Sequence, residues 1–388
     1  MRKTTLLCLL LAAVCACQKT PVPEPASADA DLSGTQVDLS TVQGLNARKI
    51  FVLNEGQMGA NDASLDFLRV SNATYITGAF KKMNPTTPGL GDVGNDIAVR
   101  GDEVWMVINN SGLVEVVSAL DEKEVGGVGV PTPRSIAFDD RYAYVTSWAG
   151  AYVNGVYDEH GQYTLADYVN PKGQVYRINL STKKLEGSVE VGHQPEGIAL
   201  SQGKLYVANS GGISSQLPPL FQYDNTVSVI DIASFQVVKT IEVQINLKNV
   251  YADGQGNVYV TSLGNYFDVH SGLYMIDSGD TVTHVADYVS VSAQNGDTVY
   301  CVGASEEFDW INPTRNWVAF SCTRGQKKAL SLNVEASTPY SLCALGGDNF
   351  LLGDAGDYVN PGTVSLYSGS NKKWSVTAGV CPGHFAIW

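Results

Sequence analysis

The chain is poor in charge. Only 16% of its 388 residues are Asp, Glu, Lys or Arg. Basic residues are the scarcer kind: 25 Lys and Arg stand against 39 Asp and Glu, and the net charge of −14 becomes −16 once Arg2 and Lys3 leave with a leader. That excludes a nucleic-acid partner, which needs a basic stripe to displace counterions. Helical periodicity is missing: from residue 48 onward no convincing stretch repeats its apolar residues at helical spacing. Also missing are G-x-S-x-G, H-E-x-x-H and a phosphate-binding loop, which points away from an enzyme. The 5 histidines include no pair at metal-ligand spacing, so no protein-bound metal is expected. Cysteine is sparse beyond the first 17 residues. Cys301, Cys322, Cys343 and Cys381 lie in or beside apolar strands without a staple pattern, and read as buried free thiols rather than disulfides.

What is present begins with a leader. Arg2 and Lys3 precede an apolar run, Leu6 to Val14, too short to be a permanent span, and then V-C-A-C ending at Cys17. Ala16-Cys17 resembles a bacterial lipobox. Residues 1–16 are therefore expected to be a lipoprotein signal peptide and Cys17 the acylated residue; an ordinary signal peptide cut near Ala16 is the alternative. Residues 17–47 hold the acylated Cys and a tether, with Pro21, Pro23, Pro25 and ASADADLSGTQ, and show no apolar period. Several acyl chains, at about 0.8 kcal/mol per buried methylene, would hold the protein on a membrane through that anchor alone.

Abundant turn formers and aromatics (39 Gly, 19 Tyr) favour strands over the rest of the chain, residues 48–388. A marker recurs there, a turn residue followed by an apolar pair: GNDIAV, TPRSIAF, QPEGIAL, LKNVYA, TPYSLCA and PGHFAIW. Aligned on Ile97, Ile136, Ile198, Val250, Val291, Leu342 and Phe385, the steps are 39, 62, 52, 41, 51 and 43 residues. After each of the first six comes a second strand (EVWMVI, YAYVTSW, KLYVANS, NVYVTSL, TVYCVG, NFLLGD), then a third, and often a fourth. Four antiparallel strands in about 40 to 50 residues make one propeller blade. Seven markers predict an all-β, seven-bladed propeller. The last marker has no strand after it, whereas RKIFVLN, ASLDFLRV and NATYITGAF near the N-terminus have no marker before them. The C-terminal strand should therefore close the ring against the N-terminal ones and leave no open edge.

The phrases HQPEGIAL, KLYVANS and NTVSVIDIASFQVVKTIEV resemble the YVTN-type, surface-layer-like propeller family. FVLNEG, GDVGNDIAVRGDEVWMVINNS and PGHFAIW are similar to the lipid-anchored propellers of Bacteroides-type bacteria. One branch of that group captures cobalamin and hands it to a TonB-dependent outer-membrane transporter. The resemblance thus implies an outer-membrane lipoprotein, at the cell surface rather than in the periplasm, with a corrinoid or other bulky nutrient as ligand and that transporter as partner. Two other functions fit a propeller in this compartment: a glycan-binding or protein-interaction surface, and a lyase or lactonase recognisable only in three dimensions.

Links from fourth to first strand and from second to third strand open on one face of a propeller. The unusually long inserts all fall in the second kind: AGAYVNGVYDEHGQYTLADYVNPKG, SGGISSQLPPLFQYD, LGNYFDVHS, ASEEFDWINPTRN and GDYVNPG. They are rich in aromatics, which give large contact area at low entropy cost. The expected ligand contacts are Trp148, Tyr152, Tyr157, Tyr168, Phe221, Tyr223, Tyr266, Phe267, Trp310 and Tyr358, with His193 and His384 at the channel mouth. The phrase acid–aromatic–β-branched–Asn–Pro occurs at 167–171, 309–313 and 357–361. Because three blades carry it, its Asp and Asn read as turn scaffold and only its aromatic as a contact. Clustered acids, Asp158, Glu159, Glu306, Glu307 and Asp354 among them, read as a solvated rim; structural calcium is the one cofactor they leave open.

Overall fold

The computed structural model describes residues 32–157, 159–160, 163–212, 222–265, 268–304 and 317–388, the side chains of 153–157 and 163–167 excepted. It is an all-β, seven-bladed propeller. The innermost strands are Gly94–Arg100, Pro133–Phe138, Pro195–Ser201, Leu247–Ala252, Val291–Asn295, Pro339–Gly346 and Pro382–Ile387, blades 1 to 7 in that order. Each contains one marker residue. Blades 1 to 6 are four-stranded antiparallel sheets.

Period-two alternation explains why the second strands read as continuous apolar runs. Neighbouring side chains point to opposite faces, and both faces are covered by other blades. In Glu103–Ile108, Trp105 and Val107 pack toward blade 2, while Val104, Met106 and Ile108 pack toward blade 7. The same holds around the ring: seven buried clusters, each shared by two successive blades, form the core. No blade buries its faces alone, so the ring has to close.

Closure follows the expected route. Pro382–Ile387 pairs antiparallel with Lys49–Asn54, placing Ile50 opposite Ile387 and Val52 opposite Phe385. Ser64–Arg69 and Thr74–Ile76 complete blade 7. Within this seam the Lys49 ammonium is buried. It donates to Glu122 Oε1 at 2.6 Å and to the carbonyls of Leu120 and Ala119 at 2.7 and 3.1 Å, and lies over the Phe67 and Trp388 rings.

Three details differ from the sequence reading. The stretch NATYITGAF is a strand only over Thr74–Ile76. Gly78, at φ 59° and with its N–H on Asp66 Oδ1 at 2.7 Å, turns the chain into a short helix, Ala79–Met83, that buries Ala79 and Phe80. The folded part starts before residue 48: Thr35–Gln36 adds a fifth strand to blade 7, and Val37, Leu39, Val42 and Leu45 pack on its core. The insert after Trp148 is a β-hairpin, Tyr152–Tyr157 with Tyr163–Val169. The four cysteines are buried free thiols.

Candidate functional site: the channel mouth

The seven innermost strands surround an axial cavity of about 1520 Å³. It runs from Glu55 and Tyr358 at the face of the long inserts to Gln294, Ala344 and Ile387 at the opposite end. All seven marker residues line it, so one apolar side chain per blade forms its waist. Its mouth is different: strand starts and second-to-third links place ionisable groups there in two linked sets.

The first set spans blades 2, 3 and 4. Arg134 donates through Nε at 3.2 Å and Nη2 at 2.9 Å to Glu196 Oε2, and Lys248 Nζ donates to the same oxygen at 3.0 Å. The Arg134 guanidinium also lies 4.3 Å from the centre of the Trp148 ring. Burial alone would raise the Glu196 carboxyl, but the charges of Arg134 and Lys248 outweigh it and hold the group below the ordinary range.

The second set joins blades 6 and 7. Glu55 follows the second strand of blade 7. Its Oε2 accepts the Tyr340 hydroxyl at 2.6 Å, and its Oε1 lies 3.2 Å from His384 Nε2. Burial pushes this carboxyl up. The His384 hydrogen bond and charge, then the Tyr340 hydroxyl and the charge of Lys248, more than offset that and hold it low. Burial and the neighbouring carboxylate push the Tyr340 phenol upward. Glu55 is therefore a carboxylate, and Tyr340 a neutral donor, at neutral pH.

The expected contacts are divided. Trp148 is half-buried beneath Arg134. Tyr168 accepts a hydrogen bond from Gln194 Nε2 at 2.9 Å, and His193 Nδ1 sits 3.1 Å from the Pro171 carbonyl oxygen. The first ties the hairpin to the residue before the blade 3 inner strand, and the second ties the exit of the hairpin to the last residue of the blade 2 outer strand, Lys184–His193. Tyr358 is exposed, lies edge-on to Tyr340 at 5.8 Å, and lines the cavity with His384. Tyr152 is exposed on the hairpin, and Tyr223 is half-buried where its backbone bridges Gly211. Tyr157 lies in the hairpin, its side chain outside the described residues; Cys17, Phe221, Tyr266, Phe267 and Trp310 lie outside them altogether. Among the described residues no group of His, Cys, Asp and Glu is arranged to hold a metal ion.

In its copy at 357–361 the repeated phrase is turn scaffold. Asp357 accepts from the N–H groups of Val359 and Asn360 at 3.0 and 2.8 Å and from Asn360 Nδ2 at 2.7 Å. The aromatic in between is turned outward at φ 66°.

Sequence reasoning did not single out Glu55, Arg134, Lys248 or Tyr340, and Glu196 entered it only as part of the marker phrase QPEGIAL. A signal was available for four of them. Arg134, Glu196, Lys248 and Tyr340 each stand two positions before a marker residue, so one column of the repeat holds them all. Glu55 comes from outside that column.

No family model and no curated protein sequence matches the chain. Solved structures match in shape. A hydrazine synthase chain from Kuenenia stuttgartiensis superposes with a TM-score of 0.56 at 16% identity, covering 76% of this chain and 89% of that one. The Pseudomonas aeruginosa periplasmic gluconolactonase PpgL gives 0.55 at 11% identity, over 87% of this chain and 98% of that one. A candidate 6-phosphogluconolactonase from Bacteroides fragilis gives 0.53 at 10% identity, over 90% and 99%. At such identities the likeness shows the propeller fold.

Proposed function

We propose that this protein is an outer-membrane lipoprotein, tethered through Cys17, that captures a bulky nutrient at the insert-bearing mouth of its channel and passes it to a TonB-dependent transporter. A corrinoid is the first ligand to test. The observation carrying this reading is the 1520 Å³ cavity, whose mouth places the exposed Tyr358 beside fixed charges and hydrogen-bonding side chains. Concave sites with a few convergent polar groups are where ligands bind, and a corrin ring with amide arms needs both a broad apolar contact and many hydrogen-bond partners. A pure transporter accessory needs no catalytic group, consistent with the lack of nucleophile motifs.

Calorimetric titration of the soluble domain with cyanocobalamin tests the reading directly. Saturable heat at micromolar protein is the expected result, and no heat rejects the corrinoid. A glycan array on the same preparation then tests the sugar-binding alternative, and release of acid from a sugar lactone tests the enzyme.

A further inference from the structure

We propose that the channel mouth contains a seat for one oxyanion carried by the ligand, a phosphate or a carboxylate, with Lys248 Nζ as its donor. This deepens the capture function above and rests on it. The argument starts from charge. Arg134 and Lys248 share one hydrogen-bonded carboxylate, Glu196, so this set by itself has one more cation than anion. The carboxylates of Glu55 and Asp96, the latter held by the Ser135 hydroxyl and the Ile136 N–H, line the same cavity. Arg134 is spent: two of its nitrogens are on Glu196, its face is on Trp148, and its side chain is only 11% exposed. Lys248 is not. It is 34% exposed, lines the cavity, and among the described residues makes one hydrogen bond with its three N–H groups. On a chain of net charge −14, a surplus cation turned into a cavity does nothing for solubility. Fixed by Glu196, it is already oriented and partly desolvated for an anion.

Glu55 shapes the rest of the ligand. Glu55 and Lys248 both line the cavity, so the carboxylate of the second set and the ammonium of the first share one mouth. A second anion there would meet the Glu55 carboxylate. The ligand therefore turns hydrogen-bond donors toward Glu55 and its single oxyanion toward Lys248.

Two titration series test this. Cyanocobalamin carries a phosphodiester and dicyanocobinamide does not. The wild-type domain should bind the first at least about tenfold more tightly, Lys248→Gln should erase that difference without weakening cobinamide, and Lys248→Arg should restore it. Equal affinities in the wild type, or equal losses for both ligands in Lys248→Gln, overturn the seat while leaving corrinoid capture standing. If neither corrinoid binds, the corrinoid is rejected as ligand, and saturation-transfer NMR with glucose, glucose 6-phosphate and glucuronate decides the seat separately. Transfer to an anionic sugar but not to glucose, lost in Lys248→Gln, supports it and tells phosphate from carboxylate. No transfer to either anionic sugar overturns it.

Discussion

Two sets of buried charge in this molecule use the same side-chain types and do different things. At the seam, Lys49 and Glu122 are 5% and 0% exposed, and the ammonium makes three hydrogen bonds under two aromatic rings. At the mouth, Glu196 is equally buried, but one of its two cations reaches the cavity. The first set is closed on all sides and ties blade 7 to blade 1. The second is complete on the protein side and open on the ligand side. Burial of the carboxylate alone does not separate a structural ion pair from a binding one; the donors left over do.

The comparison can be broken in order of effect. Ending the chain before Pro382 removes the first strand of blade 7, which also packs in the clusters shared with blades 1 and 6, and should abolish cooperative unfolding in urea. Next is the seam pair. Glu122→Gln strands a buried ammonium and should cost about 3–5 kcal/mol in denaturant-derived stability. If the cost is under 1 kcal/mol, the seam is not what distinguishes the two sets. Glu115 is a third buried acid, without a cation: burial and the nearby Glu124 push it up to about 7. Its folded value lies above the unfolded one, so its contribution is full below about pH 4.5 and is lost as pH rises through 7. Glu115→Gln should therefore stabilise the protein at pH 8 by about 1 kcal/mol after allowance for solvent screening, and change little at pH 4. Glu196 has the opposite sign. Its folded value lies below the usual carboxylate range, so its contribution is present at neutral pH and lost on acidification; thermal melts of Glu196→Gln and wild type should converge as pH falls below about 4. Smallest in stability is Lys248→Gln, expected to cost under about 1 kcal/mol because Arg134 still pairs Glu196. A larger loss would make the mouth set a second seam.

Much of the fold was legible because a propeller repeats its demands. Every blade needs an inner strand that starts at a turn and a second strand apolar on both faces, so Ile97 through Phe385 could be aligned by eye. The hairpin after Trp148 was read only as a long insert, although its two aromatic and β-branched runs around DEHGQ are what pair in the structure. The short helix at Ala79 was not legible, since a single turn carries no periodicity; Gly78 bonded to Asp66 makes it. The site was half legible. Its aromatic inserts stood out because they break the repeat, whereas Arg134, Glu196, Lys248 and Tyr340 hid inside it, each the second residue of an inner strand.

By itself, then, the sequence determined the number of blades, the closure between its two ends and the face that bears the inserts. These follow from local alternation and spacing, which act over a few residues. Only the tertiary structure decided which charges meet. Glu55 and His384 are joined across 329 positions because ring closure pairs the two ends of the chain in blade 7, and Arg134 and Glu196 across 62 because the ring sets the inner-strand starts of neighbouring blades at one mouth. A one-dimensional pattern carries no distance across a ring.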